Sequence, residues 1–174
     1  DTVVPKNGSL GIRTQIVPDA TGRYWITYPK KVLRMLPDGT LLPSVQLLPG
    51  HESKGLNIAA DGTVYVTTRG FIPVAGPLYA LAPDGQILWT NSSATSHFTG
   101  IYPEFVVTTA NGQLWLGGGT HGHCGCELTF PLLVGVDPVT GAALTDIPII
   151  GWGQLVAGSS GTLDGTVWSY VGAM

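Results

Sequence analysis

The chain has 174 residues, enough for one domain with a real hydrophobic core. Its net charge is -3 and its eight basic residues are scattered, which excludes a nucleic-acid surface built on clustered Lys and Arg. No apolar run approaches the ~18 residues of a membrane-spanning helix. Charged residues are only 11%, while Gly (25) and Pro (13) are abundant and hydrophobic residues reach 44%. Few charges, many turn formers and many β-branched and aromatic residues predict an all-β protein of short strands.

In chain order, "TGRYWIT" begins at Thr21 and is followed by "VLRMLPDGTLL" over 32–42. "DGTVYVT" begins at Asp61 and precedes "LYALAPDGQIL" over 78–88. "NGQLWLG" begins at Asn111 and precedes "LVGVDPVTGAAL" over 133–144, and "DGTVWSY" begins at Asp164. The first member of each pair reads turn, Gly, strand, with an aromatic at one offset: Trp25, Tyr65, Trp115 and Trp168. The second reads strand, tight turn, strand, because Asp-Gly pairs favour hairpins. One unit is thus four antiparallel strands, labelled A to D, which is the content of a propeller blade. The predicted fold is a β-propeller segment of about three and a half blades, at 10–48, 55–90, 101–150 and a half blade at 154–171. A β-sandwich spaces its strands similarly but needs no internal repeat.

Such a segment cannot close alone. It is expected to be completed by a second copy of itself or by another propeller chain. A four-bladed ring completed by "DTVVPKN" is the weakest alternative, because that stretch is short and contains Pro5.

In a propeller the A–B and C–D turns share one face, and the longer B–C and D–A connections share the other. Function concentrates on long loops held by a rigid scaffold. His51, His97, His121 and His123 all fall in these longer loops, together with Glu52, Lys54, Arg69, Tyr102, Glu104, Cys124, Cys126 and Glu127. "HGHCGC" at 121–126 places two histidines and both cysteines in six residues. Imidazole and thiolate suit zinc or copper, so His51, His97, His121 and His123 are candidate metal ligands. Cys124 and Cys126 are candidates for the same metal or for a disulfide, to each other or to a partner chain. The spacing matches neither paired Cys-x-x-Cys nor a haem attachment motif. Glu52, Arg69, Tyr102, Glu104 and the off-repeat Trp152 are candidate ligand-binding residues, Trp152 by stacking on a sugar or flat ring. No nucleophile elbow, phosphate loop or dinucleotide fingerprint is present.

"DGTVYVTT" with "PLYALAPDGQILWT", and more loosely "VGVDPVTGAAL", resembles the repeat of quinoprotein-type propellers over residues 60–150. That resemblance implies a propeller and, for members that are enzymes, pyrroloquinoline quinone (PQQ) as cofactor. Between the two cofactors, the histidines favour a transition metal over PQQ.

Two Asn-x-Ser triplets, at Asn7 and Asn91, join the low charge, the paired cysteines and a first residue that is not Met. Together they predict an extracytoplasmic location. The expected function is a binding or assembly module whose loop face takes a small molecule, a glycan or a protein. The alternative is a subunit of a quinoprotein-like or metal-dependent enzyme with its site at the channel mouth.

Overall fold

The computed structural model describes residues 14–70, 75–98, 103–118, 132–148, 152–157 and 163–168. Four strands, β1 (Ile16–Pro18), β2 (Tyr24–Tyr28), β3 (Lys31–Met35) and β4 (Leu41–Gln46), form the first sheet. The second contains β5 (Glu52–Ile58), β6 (Val64–Arg69), β7 (Leu78–Leu81) and β8 (Ile87–Asn91). The third contains β9 (Phe105–Thr108), β10 (Leu114–Gly118), β11 (Leu132–Val136) and β12 (Ala143–Pro148). A two-stranded sheet, β13 (Trp152–Ala157) and β14 (Leu163–Trp168), follows. Every sheet is an antiparallel meander in chain order. The described residues contain no α-helix and one 3-10 turn, Thr95–His97.

The turns explain the meander. In 36–40, Gly39 N–H donates to Leu36 O and Leu36 N–H to Thr40 O. Asp38 Oδ1 accepts from Thr40 N–H, and Gly39 takes a φ of 88° that a Cβ would oppose. The same pattern recurs at 59–63 and 82–86, so one local instruction is repeated along the chain.

The first strands of successive sheets lie against one another: β1 on β5, β5 on β9 and β9 on β13. The fourth strands are outer edges and expose Leu41, Ile87, Leu88, Leu144 and Ile147. Inner first strands, outer fourth strands and face-to-face sheets are the arrangement of propeller blades.

The core lies between blades. Trp25, Val32 and Val45 of blade one pack on Leu56, Val64, Val66, Tyr79 and Leu81 of blade two. Tyr65, Leu78 and Ala80 of blade two pack on Val106, Leu114, Leu116, Val134 and Val136 of blade three. Alternation sends the two apolar sets of blade two to opposite neighbours.

Polar clasps tie the blades on the tight-turn side. Arg34 is 9% exposed, donates from Nε and Nη2 to Pro43 O and from Nη1 to Asp84 O of the next blade, and stacks over Trp25. Pro138 O of blade three accepts from Tyr65 Oη and Trp89 Nε1 of blade two. Asn91 Nδ2 donates to Thr140 O at 2.8 Å, so the amide nitrogen of this Asn-x-Ser triplet is engaged in a blade contact.

Asp19 organises the first turn. Its carboxylate accepts from Thr21 N and Oγ1, Arg23 N and Nε, and Trp25 Nε1. Burial opposes its charge, but these bonds, led by those from Thr21, prevail and hold its pKa at about 2. A carboxylate whose pKa is depressed on folding stabilises above its unfolded value, and that contribution fades as pH falls through the folded value. Stability is therefore expected to drop by roughly 2 kcal/mol between about pH 4 and pH 2 on account of Asp19. Acid titration of Asp19→Asn should lack that part of the slope; an unchanged slope would assign it to other carboxylates.

Candidate functional site

On the loop face, the inner strand of blade two breaks its ladder. Ser53 pairs with Thr68 and Leu56 with Val66, so Lys54 and Gly55 together oppose Thr67 alone. This is a β-bulge, a device that re-aims side chains and clusters near functional sites. The strand buries Ser53, Lys54, Gly55 and Leu56 in succession, where alternation would expose every second residue.

Gly55 makes the bulge possible. A Cβ there would lie 2.8 Å from Thr67 Oγ1, 2.9 Å from Glu104 O and 2.9 Å from Phe105 Cα. The backbone of blade three passes directly over it, and Thr67 Oγ1 accepts the freed Gly55 N–H at 2.7 Å. Ser53 Oγ donates to Tyr28 O of blade one. The bulge thus sits where three blades meet.

The charged groups gather around it. Glu52 Oε2 accepts from Arg69 Nε at 3.1 Å, with Arg69 Nη2 also 3.1 Å away, and the two residues are cross-strand partners. Lys54 Nζ lies 3.7 Å from the same oxygen and its side chain is 7% exposed. Burial first, then the Arg69 guanidinium, lower the Lys54 pKa, while the Glu52 and Glu104 carboxylates act in the opposite sense. Glu104 enters from the residue before β9, where its N–H donates to Gly117 O. Two cations thus share one site with two carboxylates. Such a set offers forked N–H donors, a buried ammonium and carboxylate acceptors to a ligand with both hydrogen-bonding senses.

His51 adjoins this set. Its Nδ1 is 3.2 Å from Pro49 O, and its ring packs on Gly76, where a side chain would collide with it and with Thr68. His97 lies elsewhere, with Nδ1 3.6 Å from Asp146 Oδ2 on the outer strand of blade three. Among the described residues the structure therefore brings Glu52, Arg69 and Glu104 together, with His51 at their margin, and sets His97 apart. No group of three or more His, Cys, Asp or Glu suited to a metal occurs among the described residues. His121, His123, Cys124, Cys126, Tyr102 and the Trp152 side chain lie outside them. The central part of Lys54 was not legible as such; its signal is Gly55 inside the strand "ESKGLNI", since an interior strand Gly marks a bulge or close backbone approach.

No protein-family profile matches the chain, and no curated protein sequence does. Solved structures do. A crystal structure of a protein of unknown function from Bacteroides caccae superposes with a TM-score of 0.60 at 14% identity, over 85% of this chain and 50% of that one. A streptogramin B lyase gives a TM-score of 0.58 at 15% identity, over 85% and 45%. A catalytically inactive histidine-to-alanine variant of virginiamycin B lyase from Staphylococcus aureus, with quinupristin, gives 0.59 at 16%, over 88% and 48%. The chain has the β-propeller fold. It spans about half the length of the structures it matches. Similarity at this level reaches the fold; the quinoprotein resemblance likewise bears on architecture.

Proposed function

We propose that this propeller segment is a binding module whose ligand docks on the loop face, over the bulge at Lys54 and Gly55. One observation carries the reading. In a chain of only eight basic and eleven acidic residues, Glu52, Lys54, Arg69 and Glu104 converge on one inner strand end, with the lysine buried. Burying a lysine is costly, and here the cost is met by charge pairing, with Glu52 Oε2 3.7 Å from Lys54 Nζ. The ligand class is a polar small molecule, glycan or peptide with both donors and acceptors. An extracytoplasmic location, supported by the low charge and the Asn7-Gly8-Ser9 triplet, belongs to the same proposal.

A panel of oligosaccharides and short peptides, screened by thermal shift and confirmed by calorimetry, tests it. Arg69→Ala should weaken a genuine hit about 10- to 100-fold, the size of one lost charge-assisted pair. Hits indifferent to Arg69→Ala and Glu52→Gln would place the ligand elsewhere.

A second reading, an enzyme at the same face, is supported by His51 at the margin of the site and by the likeness to lyases, one of them inactive as a histidine-to-alanine variant. In that reading "HGHCGC" supplies zinc or copper ligands. Elemental analysis of untreated protein, and mass spectrometry of quinupristin incubated with it, test the two parts separately. A stoichiometric metal or a converted substrate would favour the enzyme; neither would leave the binding module.

A further inference from the structure

Charge is divided between the two ends of the sheets. The tight turns carry Asp19, Asp38, Asp61, Asp84 and Asp137, against the cations Arg23 and Arg34. At the loop face, the junction of blades one and two carries Lys30, Lys31, Lys54 and Arg69, against the carboxylates of Glu52 and Glu104. The remaining described carboxylate, Asp146, lies 3.6 Å from His97 Nδ1 on blade three. In a chain of net charge -3, the described side chains thus place a cationic surplus around the bulge.

Lys30 adds a second observation. Tyr28 pairs with Lys31 across the β2–β3 hairpin, which leaves Pro29 and Lys30 at its tip. Lys30 is exposed and has a φ of 66°. Every other left-handed position among the described residues is a glycine. A residue with a Cβ is therefore held here against a local cost that glycine would avoid, and such strain at a loop points to a use for the side chain. The turn is fixed from two sides. Leu47 N–H donates to Lys30 O at 3.0 Å, and Ser53 Oγ donates to Tyr28 O at 3.0 Å. Ser53 stands between Glu52 and Lys54 on β5, so the turn is tied to the bulge itself. Lys31 Nζ lies 5.4 Å from the Tyr28 ring centroid, which keeps a second ammonium at the same turn.

We infer that the ligand of the loop face is anionic, carrying at least one carboxylate, and that Lys30 is its outer contact on blade one. The inference rests on the binding module proposed above and gives its ligand a charge. A cationic surplus on one face draws anions from solution. An exposed ammonium on a fixed turn meets an acidic group without a desolvation cost in the free protein.

Calorimetry of the full chain tests this at about 20 mM salt, where exposed charges are little screened. Two matched pairs of probes are used: an oligogalacturonate with its methyl ester, and a Glu-rich peptide with its Gln counterpart. The expected result is that the acidic member of one pair binds at least ~10-fold tighter than its neutral twin. Which pair responds tells a glycan from a peptide. Lys30→Gly should weaken the acidic probe about 5-fold, the upper range for one exposed ion pair, while melting no lower than the wild type. Lys30→Asn, which also tolerates this φ, should do the same, and Lys30→Arg should keep the affinity. Equal affinities within both pairs, no binding of either acidic probe, or an acidic probe indifferent to Lys30→Gly and Lys30→Asn would overturn the inference. Arg69→Ala distinguishes that failure from failure of the binding face. A neutral ligand that is lost with Arg69→Ala would keep the face and remove the anion, whereas ligands that all ignore Arg69→Ala would remove both.

Discussion

Trp25→Ala should cost about 3–5 kcal/mol of stability, the usual range for removing a large aromatic from a core. Trp25 is 1% exposed and lies in the contact between blades one and two, against residues of both. Three interactions go with it. The apolar ring area is lost, Asp19 loses the Nε1 donor at 3.3 Å, and the Arg34 guanidinium, 5.6 Å from the ring, loses its stacking surface. Arg34 also clasps Asp84 of the next blade, so the cavity opens beside a buried charge. Trp25→Phe keeps most of the apolar area and should cost less than half as much. Urea unfolding at constant m-value measures both. A loss below about 1 kcal/mol for the alanine variant would mean that this blade contact is not part of the core.

Gly55→Val is expected to be as severe, by the opposite route. Trp25→Ala empties space, whereas a side chain at Gly55 must displace Thr67 and the backbone of β9. Overpacking costs about 1–3 kcal/mol when side chains can shift, and more when the obstacle is main chain. Gly55→Ala should therefore cost about 2–3 kcal/mol and Gly55→Val more. Gly39→Ala is the matched control. Gly39 has a φ of 88° and open space where a Cβ would stand, so only the backbone penalty of about 1–2 kcal/mol applies. Equal losses at the two glycines would deny the close approach of β5 and β9. Because Glu104 directly precedes β9, Gly55→Val should also move its carboxylate away from Lys54 and weaken ligand binding with stability.

The propeller was legible because its instruction is local and repeated. Asp38-Gly39, Asp61-Gly62 and Asp84-Gly85 each encode one turn, and alternation on both sides encodes a sheet buried on two faces. The shared loop-face placement of Glu52, Arg69 and Glu104 followed from strand order alone. The bulge did not, because it depends on β9 crossing over Gly55, a contact 50 residues away in sequence. The separation of His51 from His97 was equally hidden. Both sit in connections from an outer to an inner strand, and such a connection runs the full radius of the blade. His51 stops beside the inner strand, while His97 stops near Asp146 on an outer one. The blade clasps through Arg34 and Pro138 are also invisible in sequence, since their acceptors are backbone carbonyls that any residue supplies.

The measurement that tests the binding face most directly is NMR of the Arg69 guanidinium, with Arg69→Ala as the assignment control, while the oligosaccharide and peptide panel is added. The expected result is a saturable shift of the Arg69 Nε–H resonance together with the backbone amides of Lys54 and Gly55. Saturable binding that shifts only the tight-turn residues, such as Gly39 and Gly85, and leaves Arg69 unmoved would contradict a ligand site over the bulge.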